Sequence, residues 1–98
     1  MTFDQMKAFW DECNDQFLKF DKVTNKLSNR PDLHAFMLLD KMLPIEEKDI
    51  ISAAEHDEIF LQVNIEELAK VVTKEKIMEL SRCGVRFDSS NDCLAMFV

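Results

Sequence analysis

The spacing of the apolar residues changes at Pro44, and this change constrains the fold more than any other feature of the chain. Before Pro44, apolar residues recur every three or four positions, which is typical of amphipathic helices. After Pro44, short alternating runs that indicate β-strands flank one further helical stretch. At 98 residues the chain suits one small domain. We therefore predict a single α+β domain over residues 1–98.

The first helical pattern begins at Phe3 and continues to Phe20, with Leu27 in phase beyond it. Thr2 and Gln5 fit a capping box at its start. The sequence therefore predicts one long first helix whose apolar residues face the core. A dimeric coiled coil is the less favoured interpretation, because the Phe and Trp residues at the seam positions suit a globular core better.

A second helix is predicted over residues 31–43, with Pro31 at its first position and Pro44 ending it. Because the link between the two helices is short, we expect an antiparallel helical hairpin over residues 1–43. The apolar residues that the second helix presents to its partner are Leu33, Phe36, Met37, Leu39 and Leu43.

Residues 50–98 are predicted to form a small, mainly antiparallel sheet in ββαββ order, that is, strand–strand–helix–strand–strand. The first two strands lie at residues 50–54 and 59–63 and flank a turn. In the last two strands, the favoured register pairs Phe87 with Leu94 and Asp88 with Cys93. This register places Val85, Phe87, Leu94 and Met96 on one apolar face.

The helix between the strand pairs is predicted to begin at a capping box formed by Asn64 and Glu67. Thr73 is a second capping residue, at which the helix can break and restart over residues 74–83. Gly84, the only glycine, stands at the position of a left-handed helix cap.

The opposite face of the predicted sheet is too apolar to be fully hydrated, since it carries Ala95, Phe97 and Phe60 beside Arg86. The favoured expectation is that the N-terminal helix pair covers this face. The alternative is that a partner protein, or a second copy of the chain, contacts the face at Phe60 and Phe97.

The negative charge of the chain is concentrated in residues 46–67. The formal net charge is −7, and this stretch contains eight carboxylates against one cation, Lys48. The remaining acidic and basic residues balance. We take the eight carboxylates as the candidate partner-binding residues: Glu46, Glu47, Asp49, Glu55, Asp57, Glu58, Glu66 and Glu67.

The acidic stretch has three interpretations. It can be a solubilising surface, a docking surface for a basic protein partner, or a mimic of the phosphates of DNA. Mimicry is disfavoured, because a net charge of −7 is modest and the bases elsewhere oppose it. Direct nucleic-acid binding is not expected at a pI near 4.7. A partner with a basic surface is expected instead, and a nucleic-acid-binding protein is one such partner.

The sequence shows no motif for catalysis, for a metal site or for a cofactor. Cys13, Cys83 and Cys93 lie far apart and form no zinc-binding pair. His34 is expected at the edge of the core, and His56 has no second imidazole or thiol beside it. We therefore predict a protein that is not an enzyme and that holds no metal or cofactor.

The cellular location is predicted from what the chain lacks. Charged residues from Asp4 onward leave no apolar signal-peptide segment, and no apolar run is long enough to span a membrane. An odd number of scattered cysteines argues against a disulfide framework. A reducing cytoplasm is the expected location.

Small size, acidity and many aromatic residues without catalytic motifs are typical of compact binding proteins, among them phage and mobile-element inhibitors of host defence. The sequence thus predicts a stoichiometric inhibitor or regulator that docks on a basic surface of its target. One alternative is a homodimer formed through the apolar sheet face or the N-terminal helix. Another is a small-ligand module with a pocket between the helical hairpin and the sheet.

Overall fold

A computed structural model describes residues 1–44 and 49–97 of the chain. Within these residues lie four helices and a four-stranded antiparallel sheet, so the predicted α+β class is confirmed. The helices are α1 (Phe3–Glu12), α2 (Pro31–Met42), α3 (Ile65–Val71) and α4 (Lys74–Arg82). The strands are β1 (Ile51–Glu55), β2 (Glu58–Leu61), β3 (Arg86–Asp88) and β4 (Cys93–Phe97). None of the described helices is long and apolar enough to span a membrane.

The sheet has the spatial order β1-β2-β4-β3, with every neighbouring pair antiparallel. Phe87 faces Leu94 and Asp88 faces Cys93, as the alternation of apolar residues predicted. The two hairpins meet along β2 and β4, where Glu58 lies opposite Phe97. Therefore β1 and β3 are the edge strands.

The first helix is much shorter than predicted, because α1 ends at Glu12. Its capping box is present, with Thr2 accepting from the Gln5 amide and Gln5 accepting from the Thr2 amide. Beyond Cys13 the chain forms two 3-10 turns, at Asn14–Gln16 and Phe20–Lys22. Asn and Asp side chains at the break compete with helical hydrogen bonds. The Leu18 amide instead donates to the carbonyl of Ser81 on α4.

The predicted N-terminal helical hairpin is wrong. Residues 13–30 separate α1 from α2, and this connection is far longer than the short link that the prediction assumed. The main packing partners of α1 are α3, α4 and β3. Met6 and Trp10 are buried, and the Trp10 Nε1–H donates to the carbonyl of Val85. The apolar stripe of α1 is thus used inside the molecule.

The second helix begins at Pro31 as predicted and ends at Met42, but it buries a different face from the predicted one. Leu33 and Met37 keep 43% and 42% of their surface exposed. Of the predicted core residues Leu39 is buried, and Phe36 and Leu43 are partly buried against the core. The buried side chains of α2 are His34, Ala35, Leu38 and Leu39.

Between the strand pairs the helical segment is divided in two at Thr73. The Asn64 side chain caps α3 by accepting from the Glu67 amide, and the Thr73 hydroxyl caps α4 by accepting from the Lys76 amide. Gly84 ends this segment with a φ of 94°, in the left-handed region that favours glycine. A Cβ at Gly84 would lie 2.8 Å from Leu18 Cδ2.

Only one face of the sheet belongs to the main core. Leu61, Leu94 and Met96 pack in the same buried cluster as residues from all four described helices. Phe60 and Phe97 project from the opposite face and lie outside that cluster. The expectation that the N-terminal helix pair covers this opposite face is therefore wrong. We call this opposite face the outer sheet face.

Candidate docking surface on the outer sheet face

The β1–β2 hairpin brings three of the predicted carboxylates together. Glu55 and Glu58 are directly opposite each other in the register, and Asp57 lies in the turn between them. His56 has a φ of 55°, which allows so tight a reversal of the chain. Three acidic residues therefore lie within one turn of chain at one end of the sheet.

The remaining described carboxylates lie elsewhere. Asp49 precedes Ile50, whose carbonyl accepts from the Gln62 amide at the other end of the hairpin. At ~3.3 Å per strand residue, Asp49 is about 20 Å from Glu55 along the strand. Glu66 and Glu67 occupy the first turn of α3, also beyond that far end. The structure thus divides the acidic stretch into two separate groups.

Two candidate residues fall outside the part of the chain that can be placed. Glu46 and Glu47 lie among residues 45–48, outside the described ranges.

Glu67 has a local partner, because its Oε1 lies 3.1 Å from Lys70 Nζ. This pair is largely exposed and contributes little to stability.

The carboxylates of the hairpin adjoin an exposed aromatic residue. Phe97 lies opposite Glu58 in the register, projects from the outer sheet face, and is 59% exposed. Phe60 is half-buried on the same face, and Ala53 lies opposite it on β1. An exposed apolar residue rimmed by charges is typical of protein-interaction sites.

Arg86 is the cation of this surface. It lies opposite Ala95 in the register, forms an ion pair with Glu58, and places its guanidinium 4.6 Å from the centre of the Phe97 ring. Its side chain helps to explain why Ala95 is fully buried although Ala95 does not belong to the main core cluster. Arg86 Nε is buried without a hydrogen-bond partner among the described residues. Glu58 thereby has a cationic partner, whereas Glu55 and Asp57 are exposed and have no ion-pair partner among the described residues.

We call the set formed by Glu55, Asp57, Glu58, Phe60, Arg86 and Phe97 the hairpin surface. It combines exposed negative charge, two phenylalanine side chains and an ion pair on the antiparallel sheet. Such a surface can attract a basic partner by charge and hold it by apolar contact.

A cleft of about 480 Å³ lies between the loop at residues 24–27, α2 and α4. This is not the place between a helical hairpin and the sheet where a ligand pocket was predicted. His34 lines the cleft and is buried, with Nδ1 accepting from the Leu27 amide and Nε2 2.9 Å from Glu79 Oε2. Both ring nitrogens are therefore engaged in holding the fold.

The three cysteines are free thiols. Burial, aided by the negative charge of Glu79, raises the pKa of the Cys83 thiol to about 12. Burial also raises the pKa of Cys13 and of Cys93. Thiols with raised pKa values carry little nucleophilic thiolate at neutral pH. The described residues include no group of three side chains suited to holding a metal ion.

Sequence reasoning grouped Phe60, Phe97 and Arg86 on one face, but it missed the contacts of Arg86. The available signal was the alternation itself, which assigns Glu58 to the same face once β2 pairs with β4. Using this alternation to place Glu58 beside Arg86 also required the order of the strands in the sheet.

No family model matches the chain, and comparisons with curated proteins and with solved structures also find no match. Evidence about function must therefore come from the surfaces of the chain itself.

Proposed function

We propose that the protein is a non-enzymatic protein-binding module, which docks its hairpin surface on a basic surface of a target protein. It acts stoichiometrically in the cytoplasm, as an inhibitor or regulator that occupies this basic surface. A nucleic-acid-binding protein is a natural target, since its own binding site is basic. A phage or mobile-element anti-defence protein is one class that works in this way.

The observation that carries the proposal is that Glu55 and Asp57 lie at the same end of the sheet as Phe97, with Glu58 between Glu55 and Phe97 in the register. The two carboxylates are exposed, and neither has an ion-pair partner among the described residues. Phe97 is 59% exposed at the same end of the sheet. A purely solubilising surface would not require a large aromatic side chain next to its carboxylates.

The charge distribution also supports a partner that is a different protein. Two copies that met through their hairpin surfaces would bring Glu55 and Asp57 of one close to those of the other. Arg86 is already paired with Glu58, so it could not also compensate the charges of Glu55 and Asp57 across such an interface. Like charges across an interface oppose association, so this arrangement disfavours self-docking here and favours a basic target.

The experiment compares two variants with the same change in net charge. Glu55→Gln with Asp57→Asn neutralises the hairpin surface, and Glu66→Gln with Glu67→Gln neutralises the distant group on α3. Each protein is used to capture partners from cell lysate at low and high salt. The association rate of the purified partner is then measured for both variants and for the wild type.

The hairpin variant should associate roughly tenfold more slowly at low salt, with a weaker salt dependence than the wild type. The α3 variant should stay within about twofold of the wild type. Equal loss in both variants would mean that net charge alone steers binding. Unchanged association of the hairpin variant would place the docking surface elsewhere.

A further inference from the structure

Among the residues that the structure describes, no strand pairs with the outer edge of β1. β1 lies at the end of the sheet, and all five of its residues are exposed. The other edge strand, β3, has only three residues and packs against α1, where the Phe87 ring meets the rings of Phe3 and Trp10. Exposed strand edges present unpaired amide and carbonyl groups that can bind an extended segment.

The register shows which backbone groups point outward from β1. A two-residue turn leaves Glu55 and Glu58 as a hydrogen-bonded pair, so the next pair, Ala54 with Ile59, is not hydrogen-bonded across the hairpin. The amide and carbonyl of Ala54 therefore point to the open edge. An irregularity between Ile51 and Ala53 limits the regular part of the edge to residues 53–55.

Resting on the function proposed above, we propose that β1 binds an extended segment of the partner as a fifth strand of the sheet. The segment alternates basic and apolar residues. A residue beside Glu55 lies on the outer sheet face, where a Lys or Arg pairs with the carboxylate. A residue beside Ala54 lies on the inner face, where an apolar side chain covers Ala54 and Ile51, which is 39% exposed.

A second copy of the chain does not fit this edge. Two β1 strands paired in antiparallel fashion through residues 53–55 would lay the acidic end of each strand along the other copy. The two Glu55 carboxylates would meet no cation on the facing strand, since no residue of β1 is basic. Acidic residues at an edge oppose self-pairing in this way and leave a basic strand as the complementary occupant.

The probe is a short synthetic peptide in which Lys and Val alternate. A matched peptide has the same sequence, but alternate backbone amides on its pairing edge are N-methylated. Both carry equal charge and equal side chains, yet only the first can complete a ladder of hydrogen bonds. Binding is followed by NMR through the amide shifts and hydrogen exchange of β1, with Ala54 as the reporting residue.

The unmodified peptide should bind the full chain, slow the exchange of the Ala54 amide, and bind at least about tenfold more tightly than the N-methylated peptide. In a second arm, Ala54→Pro removes the outward amide. Proline is tolerated at an edge position whose amide faces solvent, so this variant should fold and lose the preference for the unmodified peptide.

Equal binding of the two peptides, or no binding of either, would overturn strand addition. Neither result touches the proposed function, which is tested separately by partner capture with Glu55→Gln and Asp57→Asn. The opposite combination is also informative. If the chain prefers the unmodified peptide, but the two substitutions leave partner capture unchanged, strand addition at β1 is supported and the acidic docking surface is overturned.

Discussion

His34 connects parts of the chain that regular secondary structure leaves unconnected. Its Nδ1 accepts from the Leu27 amide in the irregular segment, and its Nε2–H donates to Glu79 on α4. The amide donor at Nδ1 fixes the neutral tautomer that carries its proton on Nε2. The Phe20 ring contacts the imidazole edge-on, with ring centres 5.8 Å apart. One side chain thus joins α2, α4 and the long connection before α2.

Replacing this histidine should be costly, and the second histidine provides a control. His34→Ala removes two hydrogen bonds and leaves a cavity, so the free energy of unfolding should fall by about 2–4 kcal/mol. His56→Ala, at an exposed turn position, should change it by no more than about 1 kcal/mol. Urea unfolding of both variants measures the difference. Equal effects would contradict the assigned role of His34.

Of the secondary-structure elements, those defined by local chemistry could be predicted from the sequence. Side-chain oxygens of Thr2, Asn64 and Thr73 satisfy amides at helix starts, and Gly84 provides the left-handed cap. The β3–β4 register also followed from alternation alone, because a shift of one residue would have exposed Leu94. These features depend on residues that are close in the sequence.

The end of α1 and the buried face of α2 were predicted wrongly, because contacts between residues distant in the sequence determine them. Apolar spacing continues past Glu12, but contacts from α4 to the Leu18 amide, to Gln16 and to Lys22 hold that segment in turns. In α2 both faces are apolar, so the pattern could not show which face is buried. The structure assigns burial to the face with His34 and Leu38 and leaves Leu33 and Met37 outside.

The burial of α2 can be tested by one substitution on each face. Leu39→Ala truncates a side chain that is 1% exposed, so the free energy of unfolding should fall by about 2–4 kcal/mol. Leu33→Ala truncates a side chain that is 43% exposed, so the loss should stay below about 1 kcal/mol. Both changes leave helix propensity nearly equal. Both orientations bury Leu39, so the effect of Leu33→Ala in chemical denaturation decides between this orientation and the one that the sequence favoured, with Leu39→Ala as the reference for a buried position.

On the scale of the whole molecule, the fold separates charges that are adjacent in the sequence. The length of the β1–β2 hairpin puts Glu55 and Asp57 at one end of the sheet and Asp49 and Glu66 at the other. The sequence indicated an acidic surface, but it could not show this division, because the division depends on where the strands begin and end. The two acidic groups also lie in opposite electrostatic surroundings, one facing like charge and the other a helix N-terminus.

This difference gives opposite expectations for two variants with equal net charge. Glu55→Gln with Asp57→Asn relieves the repulsion between Glu55 and Glu58, so it should raise the free energy of unfolding by about 0.2–1 kcal/mol. Glu66→Gln with Glu67→Gln removes favourable charges at the start of α3 and the ion pair with Lys70. This variant should therefore lower the free energy of unfolding by about 0.5–1.5 kcal/mol.

Thermal and urea unfolding at low salt measure the free energy of unfolding of both variants. Added salt should reduce the difference of each variant from the wild type. A gain in stability accompanied by a loss of partner binding would show that Glu55 and Asp57 are retained for binding and not for folding. If the hairpin variant were instead less stable than the wild type, these carboxylates would have a structural role. That result would contradict the expectation that Glu55 and Asp57 are retained for binding at the expense of stability.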